Sequence, residues 1–292
     1  MKTYADLKGD GGSKIIEQVS HLKAQIKNNL SGVRNKIAIA SGKGGVGKST
    51  VTMQLAYALA KNDQRVAVFD ADFNGPSLAR LSGLGISPVI PGKSGLVMPK
   101  TKSGIGVISI GTSLPEGTPL DFSDVSGGES QVWRATKEFA TFAEILKSVE
   151  WGVLDFLLFD LPPGAERTFQ FAEFLAPEIS FILVTHSSEL SQGVAARAVT
   201  ALKRIDARIL GYIENMKGYY CPHCHTLGPL FPDEKSGTMQ IPKLGEIPFD
   251  SELAKNCDSG ADSFRLENSA VTTAFEKIAF TLQNKQPERS LK

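Results

Sequence analysis

Cysteine is scarce in this chain, with 3 among 292 residues, an odd number. So small a set builds no disulfide framework, which places the chain where thiols stay reduced, in the cytoplasm. Long apolar runs are missing too. No stretch approaches the roughly 18 uninterrupted apolar residues of a membrane span. The opening Met1-Lys2-Thr3-Tyr4-Ala5-Asp6 lacks the apolar core of a secretion signal. Neither charge is in excess, since 32 Lys+Arg face 31 Asp+Glu for a net +1. A broad field for nucleic acid or an anionic membrane is therefore absent, and neither partner is expected. What remains is a chain that is 41% hydrophobic, enough for one large α/β domain or a domain with an appendage.

The stretch Gly42-Lys43-Gly44-Gly45-Val46-Gly47-Lys48-Ser49-Thr50 organises the rest. Ile37 to Ala40 leads into it as a buried strand. After Thr50 the pattern turns helical, with Met53, Leu55, Ala56 and Leu59 on one side. Strand, glycine-rich loop and helix are the context in which the pattern counts as a phosphate cradle. The glycines let successive N–H groups point at phosphate oxygens, and the helix start adds partial positive charge. Lys48 stands where such a lysine reaches the β- and γ-phosphates, and Ser49 where a hydroxyl binds Mg²⁺.

Two further strands end in acids. Arg65 to Phe69 runs into Asp70-Ala71-Asp72, and carboxylates at the C-terminal end of such a strand face the ligand crevice. Phe156 to Phe159 runs into Asp160, a Walker B acid suited to Mg²⁺. The following Leu161-Pro162-Pro163-Gly164 can bring the Gly164 N–H near a γ-phosphate and change shape on hydrolysis. Strands are also expected at 105–110, 179–184 and 208–213. Helical spacing marks 13–30, 132–149, 188–205, 251–256 and 269–282. The first and last of these helices are expected to dock on the domain. Residues 114–129, with two prolines and three glycines, read as a long mobile loop. Strands separated by helices predict a doubly wound, mainly parallel α/β sheet with helices on both faces. The division expected is a tail and amphipathic helix over 1–35, the P-loop domain over 36–284, and a tail over 285–292. The guanine-reading Asn-Lys-x-Asp pattern is absent after 208–213, where Asn215-Met216-Lys217-Gly218 stands, so ATP is favoured over GTP.

Cys221-Pro222-His223-Cys224 is the second informative stretch. Two thiolates three positions apart can grip one metal or cluster edge, but cannot complete a four-ligand site alone. Two copies meeting on a two-fold axis can. Zinc, with His223 and His225 at hand, a redox dithiol and a structural pair stay open on ligand type alone. Cys257 reads as a small buried side chain in a helix.

Taken together, these motifs resemble the deviant Walker A family that includes the nitrogenase iron protein, the Min-system ATPase, the plasmid-partitioning ATPases and the Mrp/ApbC iron–sulfur carriers. The early Lys43 carries the likeness in the first loop. Asp70-Ala71-Asp72 with Gly75-Pro76-Ser77 resembles switch I, and Asp160 to Gly164 closely resembles the Mrp/ApbC switch II. Glu214-Asn215-Met216 with the cysteine pair, and Gly245-Glu246-Ile247-Pro248, complete a likeness that covers 36–284. The resemblance implies a slow, Mg²⁺-dependent ATPase working as a homodimer with two ATPs at its seam and Lys43 touching the partner's nucleotide. It further implies that Asp72 orients or deprotonates the attacking water, that Asp70 holds the Mg²⁺ shell or its loop, and that Asn215 and Pro248 lie beside adenine. Cys221 and Cys224 would bridge a 4Fe–4S cluster between subunits, for transfer to client apo-iron–sulfur proteins. The chain departs from the pattern at Ala165-Glu166-Arg167, where the family continues Thr-Gly-Asp, at Ala135 in the Trp-Arg-Gly turn, and at His225. Arg167 reads as a surface ion-pair residue. No room is expected before residue 36 for the small N-terminal domain of many Mrp-type proteins. The rivals are a cluster-free positioning ATPase of the Min or partitioning type, a zinc-stapled regulatory ATPase and a nitrogenase-type reductase.

Overall fold

The computed structural model describes residues 15–113, 131–221, 223–224, 226–230, 239–260 and 269–285. The expectations for 1–14, for the 114–129 loop, for the 286–292 tail and for His225 lie outside the described residues, as do the side chains of Trp133, Arg134 and Ala135. In chain order the elements are α1 (Ile15–Asn29), β1 (Val33–Ser41), α2 (Lys48–Lys61), β2 (Val66–Asp70), α3 (Leu78–Leu81), β3 (Ile90–Pro91), β4 (Leu96–Val97) and β5 (Gly106–Ile108). They continue with α4 (Gln131–Ser148), β6 (Leu154–Asp160), α5 (Ala165–Leu175), β7 (Ser180–Thr185), α6 (Glu189–Lys203), β8 (Arg208–Tyr220), β9 (Leu227–Gly228), β10 (Lys243–Phe249), α7 (Ser251–Ser259) and α8 (Ala270–Asn284).

The main sheet runs β10-β8-β7-β1-β6-β2-β5, each neighbouring pair parallel, with β9 antiparallel on β8. The buried middles of its central strands are apolar on both sides because both faces are covered. Alternate residues of each strand enter two separate cores. Ala38, Ala40, Ala67, Phe69, Leu157, Phe159, Phe181 and Leu183 join α1, α4, α5 and α6. Ile37, Ile39, Val66, Val68, Phe156, Leu158, Ile182 and Val184 join α2, α3, α7 and α8. The first core holds an aromatic stack in which Phe69 lies 5.1 Å from Phe142 and Phe142 meets Phe171 edge-on at 4.8 Å. The doubly wound α/β expectation therefore holds.

The docked N-terminal helix holds as well. Ile26 and Leu30 are buried, and Asn29 Nδ2 donates to the Leu146, Lys147 and Val149 carbonyls at the end of α4, at 2.8, 3.1 and 2.9 Å. These are carbonyls that a helix end leaves without intrahelical partners.

Four local expectations need correction. The strand read over 105–110 is confined to 106–108, because the Ser109 side chain accepts from Gly111 N and starts a 3₁₀ turn over Ile110–Thr112. Strand β8 does not stop before Glu214 but runs on to Tyr220, through positive φ at Met216 and Gly218. Helix α5 was not expected at all, although Thr168, Phe171, Ala172 and Leu175 form its buried face. Helix α2 has no single apolar side, since every residue from Val51 to Leu59 is buried between the sheet, α3 and α8.

Candidate functional site

The C-terminal ends of β1, β6 and β2 lie side by side, with Ile39 in register with Asp160 and Asp160 with Asp70. From the end of β1 the chain curls through 42–47 into α2. Gly45 and Gly47 both have φ of 77°, a region that side chains rarely adopt. At Gly47 a Cβ would also lie 2.4 Å from Asn215 Nδ2. At Gly42 a Cβ would meet the Val194 and Ala195 backbone of α6 at 2.8 and 2.9 Å, so the loop begins pressed against that helix. Ser41 Oγ donates to the Lys43 carbonyl at 3.0 Å, which tightens the turn.

Lys48 is buried at the start of α2, 6% exposed. Its Nζ lies 2.6 Å from Asp160 Oδ1, and Asp160 is wholly buried. Ser49 Oγ donates to Asp160 Oδ2 at 2.5 Å. Thr52 Oγ1 sits 3.0 Å from Asp160 Oδ1 and 2.9 Å from the Lys48 carbonyl, and can donate to one at a time. Thus the three residues expected to serve phosphate and metal form one knot around a single carboxylate.

Asp70 is held by three donors. Its Oδ2 accepts from Ser109 Oγ at 2.9 Å and Leu78 N at 3.2 Å, and its Oδ1 accepts from Asp72 N at 3.2 Å. These contacts fix the loop after β2. Burial, and then the neighbouring Asp160 charge, push its carboxyl up to about 8, with Lys48 acting the other way. Asp72 is half-buried; burial raises its carboxyl, Lys48 works against this, and Gly75 N donates to Oδ1 at 3.3 Å.

The Asp70 shift yields a pH prediction for the unliganded chain. An unfolded carboxyl ionises near 3.8 and the folded one near 8. Between those values the unfolded chain has lost the proton that the folded chain keeps. Stability from this group is complete below the lower value and falls as pH rises through the window, by up to about 1.4 kcal/mol per pH unit. Asp70→Asn cannot titrate, so denaturant unfolding across that window should lose this downward component and show a stability-against-pH slope more positive than the parent's. The variant loses an acceptor, so the slope and not the absolute stability is the readout. Equal slopes would refute the assignment.

The knot opens onto a cleft of ≈ 480 Å³ lined by Ser41, Lys43 to Thr50, Asp72 and Pro163. All of the expected loop residues line it except Gly42, which backs onto α6. Pro76 and Ser77, from the stretch that resembles switch I, complete the lining together with Arg80, Leu81, Cys257 and Asp258, which the sequence does not single out for it. Cys257 is buried on α7 as expected, but on the wall of this cleft. Asn215 stands behind the loop, 6% exposed, with Nδ2 donating to the Val46 carbonyl at 2.8 Å. Neither it nor Pro248, which lies in β10, lines the cleft. Gly164, φ 112°, donates its N–H to the Ser41 carbonyl at 3.0 Å. Arg167 makes the expected ion pair from a partly exposed position; its partner, Glu138, is only 7% exposed.

Strand β8 leads from Asn215 to Tyr220, just before Cys221, through an irregular stretch in which four residues of β8 advance against two of β10. There the antiparallel pairing of Tyr219 with Gly228 and Tyr220 with Leu227 forms a hairpin, closed by Cys221 N donating to the Thr226 carbonyl at 3.0 Å. Cys224 Sγ lies 2.9 Å from Thr226 Oγ1 and is exposed. The Thr226 hydroxyl first, then its backbone N–H and the Cys221 side chain, hold the Cys224 thiol below its ordinary value. Such a thiol offers more thiolate, the form that binds metal. Among the described residues no three His, Cys, Asp or Glu side chains gather as a ligand set. One chain therefore presents the thiols as a pair.

Comparison with known proteins follows the same pattern. The family model described as the ParA, NUBPL iron-transfer P-loop NTPase matches residues 32–283. A cytosolic Fe-S cluster assembly factor NUBP1 homolog from Brugia malayi is 37% identical over 266 residues, 87% of this chain and 83% of the relative. An iron-sulfur cluster carrier protein from Methanocaldococcus jannaschii is 34% identical over 261 residues, 87% of this chain and 86% of the relative. Among solved structures, a nucleotide-binding protein from Archaeoglobus fulgidus in complex with ADP superposes with TM-score 0.69 at 33% identity, covering 86% of this chain and 95% of that one.

Proposed function

The chain belongs to the ParA family of NUBPL-type iron-transfer P-loop NTPases, and from that premise we propose that it is an ATP-hydrolysing homodimer that carries an iron–sulfur cluster to apoproteins. The observation that carries this reading is a single strand, β8, which buttresses the P-loop through Asn215 and presents Cys221 at its far end. ATP state and cluster exposure are then linked through one strand. The cargo is a 4Fe–4S cluster held by Cys221 and Cys224 of two subunits, and the setting is the cytoplasm.

At the nucleotide site, the N–H groups of 42–50 and Lys48 hold the phosphates, and Lys48 leaves Asp160 to do so. Ser49 Oγ and Asp160 Oδ2 are hard oxygen donors directed at one place, the donor type that suits Mg²⁺. That ion, when bound, neutralises charge on the β- and γ-phosphates. Asp72, its carboxyl raised by burial, orients the attacking water and is the better proton acceptor for being raised. Asp70 keeps the Asp72 loop in place. Gly164 exchanges the Ser41 carbonyl for the γ-phosphate, and Asn215 and Pro248 border adenine once nucleotide reshapes the loop.

Anaerobic purification and reconstitution with iron and sulfide test the cargo. The expected product is a coloured protein with about four irons per two chains; a colourless protein holding stoichiometric zinc would defeat the carrier reading. Lys43 tests the shared seam. Lys43→Ala should cut ATP turnover by about a hundred-fold or more, as loss of a cation supplied across an interface does, while ATP still binds. Turnover at the parent rate would show that each subunit's site is complete alone.

A further inference from the structure

Glu138 on α4 joins two segments that the chain itself keeps far apart. Its Oε1 accepts from Asn74 Nδ2 at 2.7 Å, and its Oε2 accepts from Arg167 Nη2. Asn74 stands two residues past Asp72. Arg167 stands three residues past Gly164, in the first turn of α5. These partners lie 64 and 29 residues from Glu138 in sequence. Among side-chain contacts the others named above are local, such as Gly75 N to Asp72 and Thr168 Oγ1 to the Gly164 carbonyl; backbone bonds of Gly164 N to the Ser41 carbonyl and of Ala71 N to the Asp160 carbonyl anchor the two loops at the sheet end. One nearly buried carboxylate thus ties the loop after β2 to the loop after β6, at the point where Ala165-Glu166-Arg167 departs from the family pattern.

Resting on the reading of the cleft as an ATP site, we propose that Glu138 is a positioning residue that makes the 72–78 and 161–167 segments move together when nucleotide arrives or leaves. The Gly164 N–H is engaged by the Ser41 carbonyl, so it reaches a phosphate only if the 161–164 loop turns and shifts the start of α5. Arg167 rides on that turn. Releasing it would leave the Glu138 charge almost buried with a neutral amide as its partner, which is costly. The bridge therefore shifts as a unit and draws Asn74, and with it the loop of Asp72, in the same step. Water-orienting carboxylate and phosphate-sensing glycine are set by one motion.

Hydrogen exchange on the full chain, with and without a non-hydrolysable ATP analogue, reads this coupling directly. In the parent, the analogue should slow exchange over 72–78 and 161–170 in parallel. Glu138→Gln keeps an oxygen for Asn74 but loses the ion pair. Its 161–170 segment should lose most of its protection while 72–78 keeps it, and kcat should fall about ten-fold with KM for ATP changed less than about two-fold. A strut that merely supports the fold would lower the melting temperature but leave the two responses in step. Exchanging the charges, Glu138→Arg with Arg167→Glu, should restore most of kcat, since the Asn74 amide can present its oxygen instead. Asn74→Ala severs the other half at an exposed residue and keeps the test open should the Glu138 variants fail to fold; it too should uncouple the segments. Parallel protection and parent-level turnover in Glu138→Gln and Asn74→Ala would overturn the proposal alone. A parent chain inert toward ATP would instead remove the reading of the cleft, and this inference with it.

Discussion

Lys48→Ala is expected to weaken ATP binding and to lower turnover by at least about a hundred-fold, the scale on which removal of a preorganised charge from a phosphate site acts. The same change acts on the unliganded protein. Lys48 is the cation that faces Asp160 at 2.6 Å in a wholly buried position, and it also lowers the neighbouring Asp70 carboxyl. Without it, Asp160 keeps only the Ser49 and Thr52 hydroxyls. Removing one partner of a buried pair costs about 3–5 kcal/mol, because the other charge stays buried. The variant should therefore melt well below the parent in the absence of nucleotide, with the Asp70 carboxyl raised further once the lowering influence of Lys48 is gone. Combining it with Asp160→Asn should recover part of that loss, since the charge left alone is then removed as well. Melting curves of the four proteins and ATP titration of each check both halves. Parent-level ATP binding by Lys48→Ala would end the phosphate-site assignment. Strictly additive melting losses would show that the 2.6 Å contact carries no coupling energy.

The parts of this site that were legible in the sequence are those written in one continuous run. Residues 42–50 declare strand, loop and helix within a dozen positions, and each strand that ends in an acid does the same. The parallel sheet followed from alternating strands and helices. What escaped depends on partners far away in sequence. The all-round burial of α2 comes from α8, whose residues lie more than 200 positions later. The extension of β8 escaped because Glu214-Asn215 is polar and Met216 and Gly218 have positive φ, so no alternating apolar pattern announces it. In α5 the signal is present, as Thr168, Phe171, Ala172 and Leu175 at helical steps, but the two prolines and Gly164 immediately before it carry the stronger loop signature. Asn215 on the Val46 carbonyl, Cys257 on the cleft wall, Thr226 beside Cys224 and Glu138 beside Arg167 have no local signature. Each needs the fold before it can be seen.

Cys221→Ala is expected to abolish cluster loading while leaving ATP binding within about two-fold of the parent. A four-ligand cluster on a two-fold axis needs two thiolates from each chain, and the variant dimer supplies only half of them. The fold of the hairpin should survive. Cys221 closes it through its backbone N–H to the Thr226 carbonyl and not through sulfur, and alanine keeps that bond. Cys224 also keeps the Thr226 hydroxyl, the largest influence holding its thiol down, and loses only the lesser contribution of the Cys221 side chain. The remaining thiol therefore stays reactive, so failure to load cannot be put down to a dormant Cys224; its alkylation rate is the internal control. Nucleotide binding should hold because Cys221 lies six residues beyond Asn215, past the irregular stretch of β8 and its pairing with β9. Iron and sulfide content after anaerobic reconstitution, read beside ATP titration, separates the possibilities. Cluster loading at the parent level would remove Cys221 from the ligand set. Loss of ATP binding along with the cluster would mean that the far end of β8 shapes the P-loop, a tighter linkage than a shared strand predicts.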